Sequence, residues 1–296
     1  MDTNTNTSKP KKQGKLVYYI VGITIVIVAV LTSLQIFVVT NRTKVSVATD
    51  YEENSLKITD AYSNVVSMKL SEYIKQMRMY TEADVTQTAD PIAIQQWLVS
   101  HAKSRTPDFD RIGYIDRKGD FYNDQNKITN VKDRIYYKAI MEQGYDTNID
   151  DPVTSKSTGT TIIHVSQAAK INGQTVGFYS AVVGVDKLTE FVRNIKIGKT
   201  GYAILFNSEG GIISTSAPET DEEGTKILVD AMQPVTQALA KKQSGSTWIK
   251  AGKFGTKFVT YQPVENADWG FAFIIDESQV YDTAHEIAIT LIIAGG

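Results

Sequence analysis

From Leu16 to Asn41 the chain carries no charged side chain, and most of these 26 residues are Val, Ile, Leu, Tyr or Phe. A helix of that length reaches about 39 Å, more than the roughly 30 Å hydrocarbon core of a bilayer. Lys15 closes one end and Arg42 the other. A signal peptide needs only about 7–15 apolar residues before its cleavage site. This run is far longer, and the small pair Ser46 and Ala48 follows only after intervening charges. The stretch therefore reads as a retained transmembrane helix over 16–41 behind a tail at 1–15. Lys9, Lys11, Lys12 and Lys15 precede it against Asp2 alone, whereas Arg42 and Lys44 are followed by Asp50, Glu52 and Glu53. Lys and Arg favour the cytoplasmic side, so the tail is expected in the cytoplasm and residues about 42–283 outside a cell (inner) membrane. After Glu286 the chain reads IAITLIIAGG. That run is too short to cross a bilayer alone, and reads either as the start of a second transmembrane helix over 284–296 or as a helix end packed on the domain.

Between these ends the chain is ordinary globular material, with room for about two domains. Lys and Arg (31) nearly balance Asp and Glu (33), which gives no electrostatic reason to expect nucleic acid. There is no cysteine, and the three histidines (His101, His164, His285) are scattered. Disulfides, thiolate metal sites and cysteine nucleophiles are excluded, and little is left for zinc or a catalytic triad. No metal, no cofactor and no enzymatic activity are expected. GKT at 198–200 resembles a phosphate loop, but the position of that motif's first glycine holds Arg193 and a helix precedes it.

Residues 42–82 lack Pro and Gly and read as one long signalling helix. One apolar stripe runs through Tyr51, Ile58, Ala61, Val65 and Met68, a second through Val66, Leu70, Tyr73 and Met77. The first is expected to pair two copies of the chain as a homodimer, the alternative being that both stripes pack on the chain's own sheets. A shorter helix follows, capped by Asp90 with Pro91 in its first turn, and Ile94, Trp97, Leu98 and His101 share a face.

From residue 109 the period becomes two, and the pattern occurs twice. The strand-turn-strand RIGYIDRKGDFY (111–122) reappears 91 residues later as YAILFNSEGGIIST (202–215). The hairpin TIIHVSQAAKINGQTVGFYSAVV (161–183), with its Asn-Gly turn, has a counterpart at 257–276, where Gln262 echoes Gln167 and Gly270 echoes Gly177. Helices are expected between the hairpins near 130–143 and 223–242. The fold class is α+β: a long helix followed by two tandem antiparallel-sheet modules.

With DRIYYKAI (133–140), TNIDDPVTSKSTGTTIIHVSQAAK (147–170), VGFYSAVVGVDKLTEFV (176–192) and IGKTGYAILFNSEG (197–210), the chain resembles the double Cache sensor region of bacterial receptors over about residues 16–296. The likeness is strongest to methyl-accepting chemotaxis proteins. Each Cache module is PAS-like. The resemblance implies a membrane-distal ligand-binding module at 83–196, a membrane-proximal module at 197–283 and no catalysis. Rival outputs are a histidine kinase or a diguanylate cyclase, and a membrane-anchored protein-binding module is a further alternative.

On chemistry alone, Arg134 near a helix start offers a rigid fork for a carboxylate, and Tyr136 and Tyr137 offer rings and hydroxyls. It could equally pair with Asp133 or Asp150. Amino-acid-binding members of the family carry Arg-x-Trp-[Tyr/Phe] here. The resemblance thus implies that Arg134 and Tyr136 hold a ligand carboxylate, with Tyr137 as the second aromatic. Other family positions differ: Thr129 and Val153 replace tyrosines, and Val182 replaces the aspartate that meets a ligand ammonium. The expected ligand is therefore a small anionic metabolite, an organic acid more than a free amino acid. Alternation puts Phe178, Ser180 and Val182 on one strand face, with Tyr114 and Ser166 or His164 as further candidates.

Overall fold

The computed structural model describes residues 13–155, 159–196 and 198–282. It divides into two units, Met1–Tyr51 with Val280–Gly296, and Glu52–Gln279. Helix α1 (Gln13–Thr81) begins in the first. There Val17–Val39 is long and apolar enough to cross a membrane. Its large side chains, Tyr18, Ile25, Leu31 and Phe37 among them, are exposed. A helix that is apolar all round fits lipid better than water. The expected second span at 284–296 lies outside the described residues.

In the second unit α1 continues to Thr81 and presents two faces of different chemistry. Val66, Leu70, Tyr73 and Met77 are fully buried, each burial contributing about 1.5–3 kcal/mol. Tyr73 packs on Phe109 and donates to Asp108 Oδ2 at 3.0 Å. Nearer the membrane segment the buried face is Ser55, Thr59, Ser63 and Ser67. Hydroxyls, not the Tyr51–Met68 stripe, hold this part: Thr59 Oγ1 lies 2.5 Å from Thr260 Oγ1, and Ser63 Oγ donates to the Pro263 carbonyl at 2.8 Å. The first stripe stays largely uncovered, with Val65 39% and Met68 63% exposed and Ala61 exposed as well.

Helix α2 (Pro91–Ser100) starts as its sequence dictates, the Asp90 carboxylate accepting from the Ile92 amide at 3.0 Å. His101 ends it exposed, its ring stacked on Trp97 at 4.3 Å.

Two antiparallel sheets follow. The first is built from β1 (Phe109–Asp116), β2 (Asp120–Asn123), β3 (Ile128–Asn130), β4 (Thr147–Ile149), β5 (Val153–Thr154), β6 (Thr161–Ile171) and β7 (Gln174–Gly184). Its order is β3-β2-β1-β7-β6-β4, with β5 also on β6. At the β6–β7 turn Asn172 and Gly173 both have positive φ, 50° and 79°, the two-residue turn that matches strand twist. Helix α4 (Val185–Arg193) leads to the second sheet, formed by β8 (Tyr202–Phe206), β9 (Ile212–Thr215), β10 (Gly245–Lys250), β11 (Thr256–Pro263) and β12 (Gly270–Asp276), in order β10-β11-β12-β8-β9. Helices α5 (Glu222–Ala231) and α6 (Gln233–Ala240) cover it. Leu228, Met232 and Val235 close a core with Tyr202, Ile204 and Phe206. The helix expected over 130–143 is shorter. It runs as α3 (Ile135–Tyr137) into a wide turn at Lys138–Glu142. The Asn130 side chain, ahead of it, donates to Asp120 Oδ1 and accepts from the Lys132 amide.

Candidate functional site

The register of the first sheet decides which residues share a face. β7 sits between β1 and β6, and directly opposed residues point the same way. Phe178, Ser180 and Val182 of β7 face with Ala168, Ser166 and His164 of β6. On the other flank they face with Ile115, Gly113 and Arg111 of β1. Asn148 of β4 opposes Ser166 and joins the same face. A bulge between Phe109 and Arg111 sets this arrangement: Phe109 opposes Val183, yet Arg111 opposes Val182. Such an extra residue re-aims a side chain, here bringing the Arg111 guanidinium onto the face that carries Ser180 and Ser166.

Half of this face is filled. Ile115, Phe121, Ile140, Ala168 and Phe178 form an apolar cluster with Tyr136 and Tyr137. Tyr137 is anchored within it, its hydroxyl donating to the Arg117 carbonyl at 2.7 Å. The other half is polar. Ser166 and Ser180 are buried and hydrogen-bonded to each other at 3.0 Å. The Asp150 carboxylate, also buried, lies against the His164 amide and 2.7 Å from His164 Nδ1. The Tyr136 ring lies over that imidazole at 4.4 Å. Burial pushes the Tyr136 hydroxyl well above the ordinary phenol range; Asp150 adds to this, and Arg134 and Arg111 oppose it. The hydroxyl therefore keeps its proton and stays a donor at neutral pH.

Two donors on this face lack a partner among the described residues: Arg111 Nε and Asn148 Nδ2, both buried. An unpaired buried donor costs about 1–3 kcal/mol, so each is a position where an acceptor is wanted.

The residues singled out from sequence are thus partly brought together. Tyr136, Ser166, Ser180 and Val182 line one cradle, and Phe178 and Tyr137 form its apolar floor. Arg134, expected to hold a ligand carboxylate, is not buried with them. Its side chain is 47% exposed and 3.8 Å from Asp133, at a rim position within electrostatic reach of Tyr136. Tyr114 does not join them. It opposes Tyr179, which puts it on the α1 side of the sheet, and its hydroxyl donates to the Val176 carbonyl at 3.1 Å. Thr129 and Val153 are exposed. Arg111, Asn148 and Asp150, which share this face, were not among the residues singled out from sequence. The available signal was the alternation Arg111-Gly113-Ile115 within the first hairpin, a charge and a glycine on one face of a strand.

Two tandem antiparallel sheets behind a long helix define the fold class. The match to the Cache domain over residues 43–284 makes the chain a member of that family. It is 23% identical over 164 residues to the methyl-accepting chemotaxis protein PscA of Pseudomonas syringae pv. tomato, covering 54% of this chain and 25% of that protein. The chain spans about a quarter of the length of the curated relatives it matches. Among solved structures, it is similar to the extracellular domain of mmHK1S-Z3 (TM-score 0.64, 15% identity, 79% of this chain and 97% of that one). The ligand-binding domain of the Pseudomonas fluorescens chemoreceptor CtaA, in complex with L-isoleucine, matches with TM-score 0.59 and 20% identity over 82% of this chain and 98% of its own. These likenesses establish the fold.

Proposed function

We propose that the chain is the sensory part of a transmembrane chemoreceptor, and that the cradle on its first sheet binds a small carboxylate-bearing metabolite. The observation that carries the reading is the pair of unpartnered buried donors, Arg111 Nε and Asn148 Nδ2. With the Tyr136 hydroxyl they form a set that asks for acceptors. The buried acid that could meet an ammonium, Asp150, is already occupied by the amide and ring of His164. An organic acid therefore suits the cradle better than an α-amino acid. The amino-acid reading is the rival, because CtaA is seen with L-isoleucine. Matched pairs separate the two. Thermal-shift and calorimetric titration of the chain with L-lactate against L-alanine, and L-malate against L-aspartate, should favour the acid of each pair. Preference for the amines would overturn the organic-acid reading, and no response to any of the four would remove the cradle from function.

In this reading Val17–Val39 crosses the inner membrane with the lysine-rich tail in the cytoplasm, and residues about 83–196 bind while 197–283 relay. Support for a relay comes from adjacent carboxylates. Asp150 faces the cradle, while Asp151 accepts from Trp269 Nε1 at 3.0 Å and from the Ser208 amide at 3.3 Å, both beside the second sheet. The 263–270 hairpin that holds Trp269 meets α1, since Ser67 Oγ accepts from the Glu265 amide at 2.9 Å. Ligand closure at Asp150 would move Asp151, then this hairpin, then the helix that leads to the membrane. The similarity to PscA favours a chemotaxis output.

A further inference from the structure

The second sheet holds a cavity of about 350 Å³ that the reading above does not use. Tyr202, Leu228 and Phe254 give it apolar walls, and Lys257 with Asp276 gives it one charged end. Lys257 is only 9% exposed, and its ammonium pairs directly with the Asp276 carboxylate across β11 and β12. Stability does not account for such a pair, since well-packed apolar residues in its place are often neutral or stabilising. The repeat makes the same point. By the offsets that relate Gln262 to Gln167 and Gly270 to Gly177, the first-sheet counterparts are Ile162 and Val183, both buried and apolar. Conversely, Tyr202 stands where the first sheet has Arg111.

We propose that this cavity is a second small-molecule site, distinct from the cradle and independent of it, for a net-uncharged molecule with an apolar body and one end that both accepts and donates hydrogen bonds. The charge balance dictates the class. Lys257 and Lys199 are offset by Asp276 and Glu219, so the lining as a whole attracts neither an anion nor a cation. The ammonium has one partner among the described residues, Asp276, which leaves donors for a ligand carbonyl or carboxylate. The neighbouring carboxylate accepts from a ligand N–H. A primary amide or a zwitterion satisfies both at once, and a lone carboxylate or a lone ammonium leaves one of them unmatched.

The test uses three probes with one phenyl body, benzamide, benzoate and benzylamine, and the full chain in lipid nanodiscs, with empty nanodiscs as reference. Saturation-transfer NMR should show benzamide bound at least about tenfold more tightly than the two ions, the difference a hydrogen bond to a charged group makes. Leu228→Trp, which fills the cavity, should abolish binding. Lys257→Met, which leaves the Asp276 carboxylate without its ammonium, should move the preference from benzamide to benzylamine. Arg111→Ala should change neither. Absence of benzamide binding, a preference for either ion in the native chain, benzamide binding that survives Leu228→Trp, or an unchanged preference in Lys257→Met would each overturn the site, whatever the cradle binds.

Discussion

Arg111 and Arg134 bring the same guanidinium to different surroundings, and the difference is measurable. Arg111 Nε is buried and without a partner among the described residues, whereas Arg134 is half exposed at the rim beside Asp133. Arg111→Ala should therefore cost about 2–5 kcal/mol of carboxylate binding, and Arg134→Ala about 0–1 kcal/mol. Calorimetry on the two variants decides it, and the reverse order would return the grip to Arg134. Arg134 was legible because it stands in a local run, DRIYYKAI, whose chemistry can be read without knowing the fold. Arg111 was not, because its face depends on a bulge at Asp110 and on pairing with a strand some seventy residues away. Gly177 gives a second prediction at this scale. A Cβ there would lie 2.2 Å from Tyr114 Oη and 2.5 Å from the Ile115 carbonyl, and the latter is backbone that cannot swing aside. Gly177→Ala should destabilise the chain by about 1–3 kcal/mol in urea unfolding, as overpacking does. An unchanged midpoint would mean that the strands separate freely here.

The elements followed from period and punctuation: hairpins from alternation closed by Asn172-Gly173 or by Gly119 and Gly210, and a long helix from the absence of Pro and Gly. Strands of two or three residues (β3, β4, β5) carry too few side chains to show a period, and β4 is the one that brings Asn148 to the site. The helix face toward the second sheet carries no apolar signal for a related reason. Serine and threonine leave no apolar stripe, yet Ser55, Thr59, Ser63 and Ser67 are buried at four-residue spacing. A seam held by hydroxyls has less apolar grip than the Val66–Met77 face, so it is the part of α1 that a small push can shift. Asp151 is where that push would enter, through Trp269 and Ser208. Asp151→Asn keeps the shape but weakens the charge-assisted hydrogen bonds. It should leave ligand affinity within about 1 kcal/mol while reducing the coupling by about 0.5–2 kcal/mol. Hydrogen exchange at 263–270 reads this directly: ligand should alter protection in the native chain and much less in the variant. Equal responses would remove Asp151 from the relay.

Across the whole molecule, two properties follow from where the side chains lie. Burial holds the hydroxyls of Tyr73, Tyr114, Tyr136 and Tyr202 above the ordinary phenol range, and that of Tyr179 is pushed up to about 12. The folded state thus binds protons more tightly than the unfolded state. Its stability is complete below about pH 10 and falls as pH rises through the folded values, by up to about 1.4 kcal/mol per pH unit for each group. An alkaline titration should show these tyrosines ionising together with loss of structure; gradual, independent ionisation near pH 10 would contradict the packing. The second property is the stripe that one chain leaves open. Ala61, Val65 and Met68 project from α1 on the side away from Val66, Leu70 and Tyr73, at the three- and four-residue spacing that lets one helix pack on another. A second copy would cover this stripe with the same residues, as a two-fold pair requires. Because the chain has no cysteine, single substitutions report cleanly. Val65→Cys and Met68→Cys should crosslink in membranes under mild oxidation, whereas Asp60→Cys, on the exposed flank of α1 that meets Gln262, should not. If the relay reaches the helix, adding the bound acid should change the crosslinking rate at 65 and 68 in the native background and leave it unchanged when Asp151→Asn is present. Equal crosslinking at all three positions would mean random collision and remove the dimer through this stripe.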